Sequence, residues 1–115
     1  ENRMLSTPTA IGSISTAADQ EDFVSMGTNT TIKTRKIIEN TEYVIAIEFL
    51  AAAQALDLRG GTPGKGVKVA YDTIRKYVKF LDKDRPLYPD IEKIRKLVMY
   101  GEILNNVEKE IGKLK

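Results

Sequence analysis

The chain is 115 residues long, 42% hydrophobic and 30% charged, which sets the scale at one domain with a modest core. It holds no Cys and no His, which excludes a disulfide framework, a thiol nucleophile, an imidazole base and a conventional zinc site. Its 18 basic and 16 acidic residues are interspersed for a net charge of +2, so no basic stripe marks a nucleic-acid binder.

Residues 1–19 are rich in Ser, Thr, Ala and Gly, with Pro8 and Gly12 as breakers, and read as an irregular lead-in. Asp19-Gln-Glu-Asp22 follows. Asp19 is expected to cap a helix by accepting from the backbone N–H groups of Glu21 or Asp22. Glu21 and Asp22 would then lie in its first turn, where the helix dipole favours negative charge. No proline occurs from there until Pro63, and Gly27 is the only glycine before Gly60. One long helix is therefore expected over 20–59, closed by Arg59 and Gly60-Gly61. Residues 28–36 are polar and β-branched, which weakens helix propensity and predicts an irregular turn near 27–31.

The middle of this helix is apolar on nearly every side. Tyr43-Val-Ile-Ala-Ile47 and Phe49-Leu-Ala-Ala-Ala53 are interrupted by Glu48 alone. Such a helix is surrounded by other helices. After the Gly60-Gly-Thr-Pro-Gly-Lys-Gly66 loop, Val67, Ala70, Tyr71, Ile74, Val78 and Leu81 recur at helical spacing. Residues 82–89 form a loop with two prolines, and Asp90 is expected to cap a helix carrying Ile91, Ile94, Leu97 and Val98. Gly101 breaks it, and a last helix carries Ile103, Val107, Ile111 and Leu114. No strand pattern appears, so the fold class is an all-α bundle: 1–19 lead-in, 20–59 long helix, 60–115 shorter helices.

A helix of about 38 residues spans roughly 57 Å, against a diameter of roughly 35 Å for a compact domain of this size. Its apolar middle needs cover that the shorter helices cannot fully supply. The expectation is a bundle completed by further sequence, by other subunits, or by both. The chain opens at Glu1 rather than Met, as a trimmed or excised segment would. No membrane span or signal-peptide pattern is visible, and the lack of Cys is compatible with a cytoplasmic setting.

Two motifs invite functional readings. Asp19, Glu21 and Asp22 read either as helix capping or as polar groups placed to meet a ligand, and spacing does not separate the two. The Gly60–Gly66 run resembles a phosphate loop but fails it. Gly66 follows Lys65 where Ser or Thr is needed, and Arg59 stands at the first Gly position. The five Tyr residues read as packing groups, and the pattern holds no complete catalytic constellation.

Several stretches resemble a known family. Glu1-Asn-Arg-Met-Leu-Ser6, Ser13-Ile14, Gln20-Glu-Asp22, Val24-Ser-Met-Gly27, Leu50-Ala-Ala-Ala-Gln-Ala-Leu-Asp-Leu-Arg59 and Asp84-Arg-Pro-Leu-Tyr-Pro-Asp90 are together similar to the C-terminal part of histidine ammonia-lyases. More broadly they resemble the aromatic amino acid lyase and aminomutase family. The resemblance implies an all-α homotetramer built on long helices, with histidine as the favoured aromatic substrate. It implies elimination of ammonia through an electrophilic methylidene-imidazolone formed from an internal Ala-Ser-Gly. That tripeptide is absent here, so the resemblance places it upstream in a longer protein and makes this segment inactive alone.

By the same resemblance Glu21 is the catalytic carboxylate and, with Gln20, contacts substrate, while Asp22 is structural. A carboxylate suits this role because it can accept an imidazole N–H or hold a proton taken from the β-carbon. The chain departs from the usual pattern at Phe23 and Thr7, where His is common, at Gly12, where Asp is common, and at Ser15, where Pro is common. These departures leave two alternatives: a divergent lyase for another aromatic amino acid, and a non-catalytic helical scaffold.

Overall fold

The computed structural model describes residues 1–114. It is all-α: α1 (Asn2–Leu5), a 3-10 turn (Thr9–Gly12), α2 (Gly27–Arg59), α3 (Lys65–Tyr77), α4 (Tyr88–Met99) and α5 (Glu102–Ile111). Among the described residues the one β-type pairing is an isolated antiparallel bridge between Thr16 and Glu21. No helix is long and apolar enough to cross a membrane among these residues.

The expected single segment divides into two compact units, Glu1–Thr41 and Glu42–Lys115. The first unit corrects the start of the long helix. Residues 20–26 are not helical, and α2 begins at Gly27, with 33 residues rather than about 38. Asp19 therefore caps nothing. Ala17, Ala18 and Asp19 all lie at positive φ (52°, 55° and 65°), and Met26 does too (53°), so no right-handed helix can run through them.

The Thr-rich stretch expected to weaken the helix is instead its first turns. Thr30, Thr31 and Thr34 donate their hydroxyls to the carbonyls of Met26, Gly27 and Thr30, four residues back, which satisfies each polar side chain on the helix itself. Within this unit Asn40 also donates to Asn2 at 2.9 Å, tying α1 to α2.

The second unit holds a core of Ala46, Ala53, Ile74, Val78, Ile94, Leu97 and Ile103, with Phe49, Leu50, Ala70, Tyr71, Ile91 and Val98 packed on it. The apolar positions expected on α4 are the ones that face inward. From α2 the buried residues are small, Ala46 and Ala53, which allows close approach of the shorter helices. Ala51 and Ala52 face outward.

Helix ends follow the glycines. Gly60 (φ 68°) and Gly61 (φ 89°) stop α2, and Gly101 (φ 66°) separates α4 from α5 in a conformation that a side chain would strain. α4 starts at Tyr88 with Pro89 in its first turn, so Asp90 lies inside the helix and is not its cap. Asp90 is 7% exposed and is held by Arg85, whose Nη2 lies 2.9 Å from its carboxylate. Arg85 also donates to the carbonyls of Lys79 and Phe80, closing the loop before α4.

Candidate functional site

The sequence-predicted site residues fall on one turn of the first unit. Thr16 and Glu21 pair backbone to backbone in both directions, at 3.0 Å and 3.2 Å. Between them Ala17, Ala18 and Asp19 form a left-handed turn, closed by the Gln20 N–H donating to the Ala17 carbonyl at 3.3 Å. Left-handed geometry costs a residue with a Cβ roughly 1–2 kcal/mol, less for Asp, whose side chain tolerates it. Three such residues in a row persist only where their surroundings over-determine them, and such strain gathers at functional sites.

This turn presents Gln20, Glu21 and Asp22 to solvent. The Glu21 carboxylate accepts the Thr16 hydroxyl on Oε2 at 3.0 Å. On the far side of the turn the Val24 N–H donates to Ser13 Oγ at 2.8 Å, fixing the extended stretch toward α2. Phe23, two residues after Glu21, is 70% exposed, and Ile11 and Ile14 of the same unit are exposed too. The turn thus carries an exposed carboxylate held by one hydroxyl.

The sequence pattern did not single out Thr16. Read as a helix start, the segment hides any contact between positions 16 and 21. The run Thr16-Ala-Ala-Asp-Gln20 lacks the glycine that a tight turn usually takes, so it gives no glycine signal for this one.

The second unit holds two polar clusters. Asp57 accepts Tyr71 and Arg75, and Arg75 also lies over the Tyr71 ring at 5.6 Å. The hydrogen bond from Tyr71, reinforced by Arg75, lowers the Asp57 carboxyl below its ordinary range, while that same bond raises the Tyr71 phenol. Tyr43 donates to Glu92 beneath Arg95, which pairs with Glu42 at 3.0 Å, and the bond to Glu92 raises the Tyr43 phenol. Tyr77 donates to Glu102. Three tyrosines read as packing groups are therefore also donors to carboxylates.

A cleft of about 740 Å³ lies against the Gly60–Gly64 loop and is lined by Asp57, Arg59, Lys68 and Tyr71. It is built from other residues than the predicted site. α3 begins at Lys65 after an extended Gly64, so the loop is a helix stop and restart. Among the described residues no group of three or more His, Cys, Asp or Glu could hold a metal ion.

The family model for aromatic amino acid lyases matches residues 1–76. The chain is 51% identical over 104 residues to a probable histidine ammonia-lyase of Thermoplasma volcanium, covering 90% of this chain and 21% of that protein. It is 43% identical over 116 residues to histidine ammonia-lyase 1 of Fusobacterium nucleatum, covering 99% and 22%. Histidine ammonia-lyase from Trypanosoma cruzi has a similar structure, with a TM-score of 0.85 at 34% identity over 93% of this chain and 21% of that one. The ergothioneine-degrading ergothionase of Treponema denticola gives 0.82 at 36% identity over 90% and 21%. The chain spans about a fifth of the length of the curated relatives it matches. With the family match covering more than half of its residues, this chain belongs to the aromatic amino acid lyase family.

Proposed function

We propose that this chain forms part of a longer ammonia-lyase acting on histidine, to whose active site it supplies the Glu21 carboxylate. The observation that carries this reading is Glu21 itself: a carboxylate held by Thr16 on a strained, solvent-facing turn. Two relatives that support histidine as substrate are both named histidine ammonia-lyases.

Ammonia elimination breaks a β-C–H bond and a C–N bond. Glu21 serves it by accepting an imidazole N–H, which orients the ring, or by taking the β-proton. Gln20 borders the same turn, where its amide can accept from or donate to the substrate. The electrophile in such an enzyme comes from an Ala-Ser-Gly, which these residues do not contain, so this chain builds no part of it. When present, a methylidene-imidazolone supplies the electron-withdrawing chemistry that makes the amine a leaving group.

The complete enzyme is proposed to be a homotetramer. Val44, Ile47 and Leu58 are exposed, with Ala51 and Ala55 between them at steps of three or four along α2. That apolar stripe lies opposite the Ala46 and Ala53 face and suits burial against further helices.

Phe23, an exposed apolar ring two residues after Glu21, favours a second reading, a lyase for another aromatic amino acid. Assaying the complete protein for ammonia release from histidine, phenylalanine and tyrosine separates the two. Turnover of histidine above the others supports the first reading; turnover of phenylalanine or tyrosine alone supports the second.

A further inference from the structure

We propose that Thr16 is the positioning residue for Glu21, an inference that rests on the reading of Glu21 as the substrate-facing carboxylate. Three hydrogen bonds join the same two residues: one in each direction along the backbone, and one from the Thr16 hydroxyl to Glu21 Oε2. Among the described residues that hydroxyl is the carboxylate's only donor, so Oε1 keeps its lone pairs for a substrate.

The geometry explains why a tether is needed. Glu21 is exposed, and a long side chain without a partner samples many rotamers. Thr16 is half-buried and β-branched, so its own χ1 is stiff. A stiff donor fixed by two backbone bonds to the residue it holds defines where one carboxylate oxygen sits. The left-handed run Ala17, Ala18 and Asp19 folds the chain back far enough for the two side chains to meet. Helical backbone through 16–21 would separate them. The strain of the turn and the position of the carboxylate are thus one feature, and Thr16 links them.

The test uses the complete lyase with histidine as the probe, measuring kcat, KM, thermal midpoint and subunit assembly for Thr16→Val, Thr16→Ser, Glu21→Gln and the double variant T16V/E21Q. Valine keeps the shape and the backbone bridge but removes the donor. A misplaced reacting group costs up to about a hundred-fold, so Thr16→Val is expected to lower kcat by roughly ten-fold or more. Its melting and assembly stay near parental, Thr16→Ser restores most of the rate, and the double variant is no slower than Glu21→Gln alone. Should Thr16→Val fail to assemble, Thr16→Ala provides the same readout.

A parental kcat for Thr16→Val beside a severely impaired Glu21→Gln overturns the positioning role and leaves the reading of Glu21 intact. So does equal impairment of the valine and serine variants, or a double variant that multiplies the two losses. A parental rate for Glu21→Gln overturns the reading of Glu21 itself, and the role of Thr16 with it.

Discussion

Gln54 reads the backbone of Leu81 twice. Its amide donates to the Leu81 carbonyl at 3.1 Å, and its side-chain oxygen accepts the Leu81 N–H at 3.1 Å. One side chain on α2 thereby satisfies both polar groups of a residue in the extended segment after α3. Replacing Gln54 with Leu keeps the volume but leaves the Leu81 N–H and carbonyl unpaired. The expected cost is about 1–3 kcal/mol, read as a lower midpoint in denaturant unfolding. An unchanged midpoint would show that water replaces both bonds.

The Asp57–Tyr71–Arg75 cluster predicts a stability profile with two limbs. Asp57 is lowered, first by the Tyr71 hydrogen bond, so its contribution is complete above the ordinary carboxylate range and is lost as pH falls through its lowered value. Tyr71 is raised by the same bond. Its contribution is complete below the ordinary phenol range and is lost as pH rises through its raised value. Thermal melting against pH should show Tyr71→Phe removing the alkaline limb and shrinking the acid one, where Arg75 still lowers Asp57, and Asp57→Asn flattening both.

The left-handed turn makes a signed prediction. Ala18→Gly relieves backbone strain and should raise stability by up to about 1 kcal/mol, because glycine has no Cβ to clash. Ala18→Val should lower it by about 1 kcal/mol or more, since a β-branched residue fits positive φ least well. Equal midpoints for the two variants would place Ala18 outside the left-handed region.

The exposed stripe on α2 predicts a change in assembly. A charge introduced by Ile47→Glu or Leu58→Glu should weaken self-association of the complete protein in sedimentation, because each side chain now faces outward on an apolar surface. Lys68→Ala, on the polar side of α3, serves as the control.

The bundle was legible because its signals are local and redundant. The spacing of Ile91, Ile94, Leu97 and Val98 places one face of α4, and Gly60 and Gly101 end helices where only glycine sits easily. The start of α2 was not legible. Asp19-Gln-Glu-Asp22 has the composition of a helix cap, yet it follows two alanines held at positive φ, a conformation no propensity scale anticipates. Asp90 misled for a similar reason: a good capping residue is here buried against Arg85. The proposal for Glu21 comes only from the resemblance to a family, and its contact with Thr16 is visible only once both ends of the turn are seen together.

Glu21→Gln in the complete enzyme tests the central claim most directly, because the amide keeps the size and removes the charge and the proton acceptor. Ammonia release from histidine should fall severely, by about a hundred-fold or more, with subunit assembly unchanged. Release at the parental rate would contradict the account.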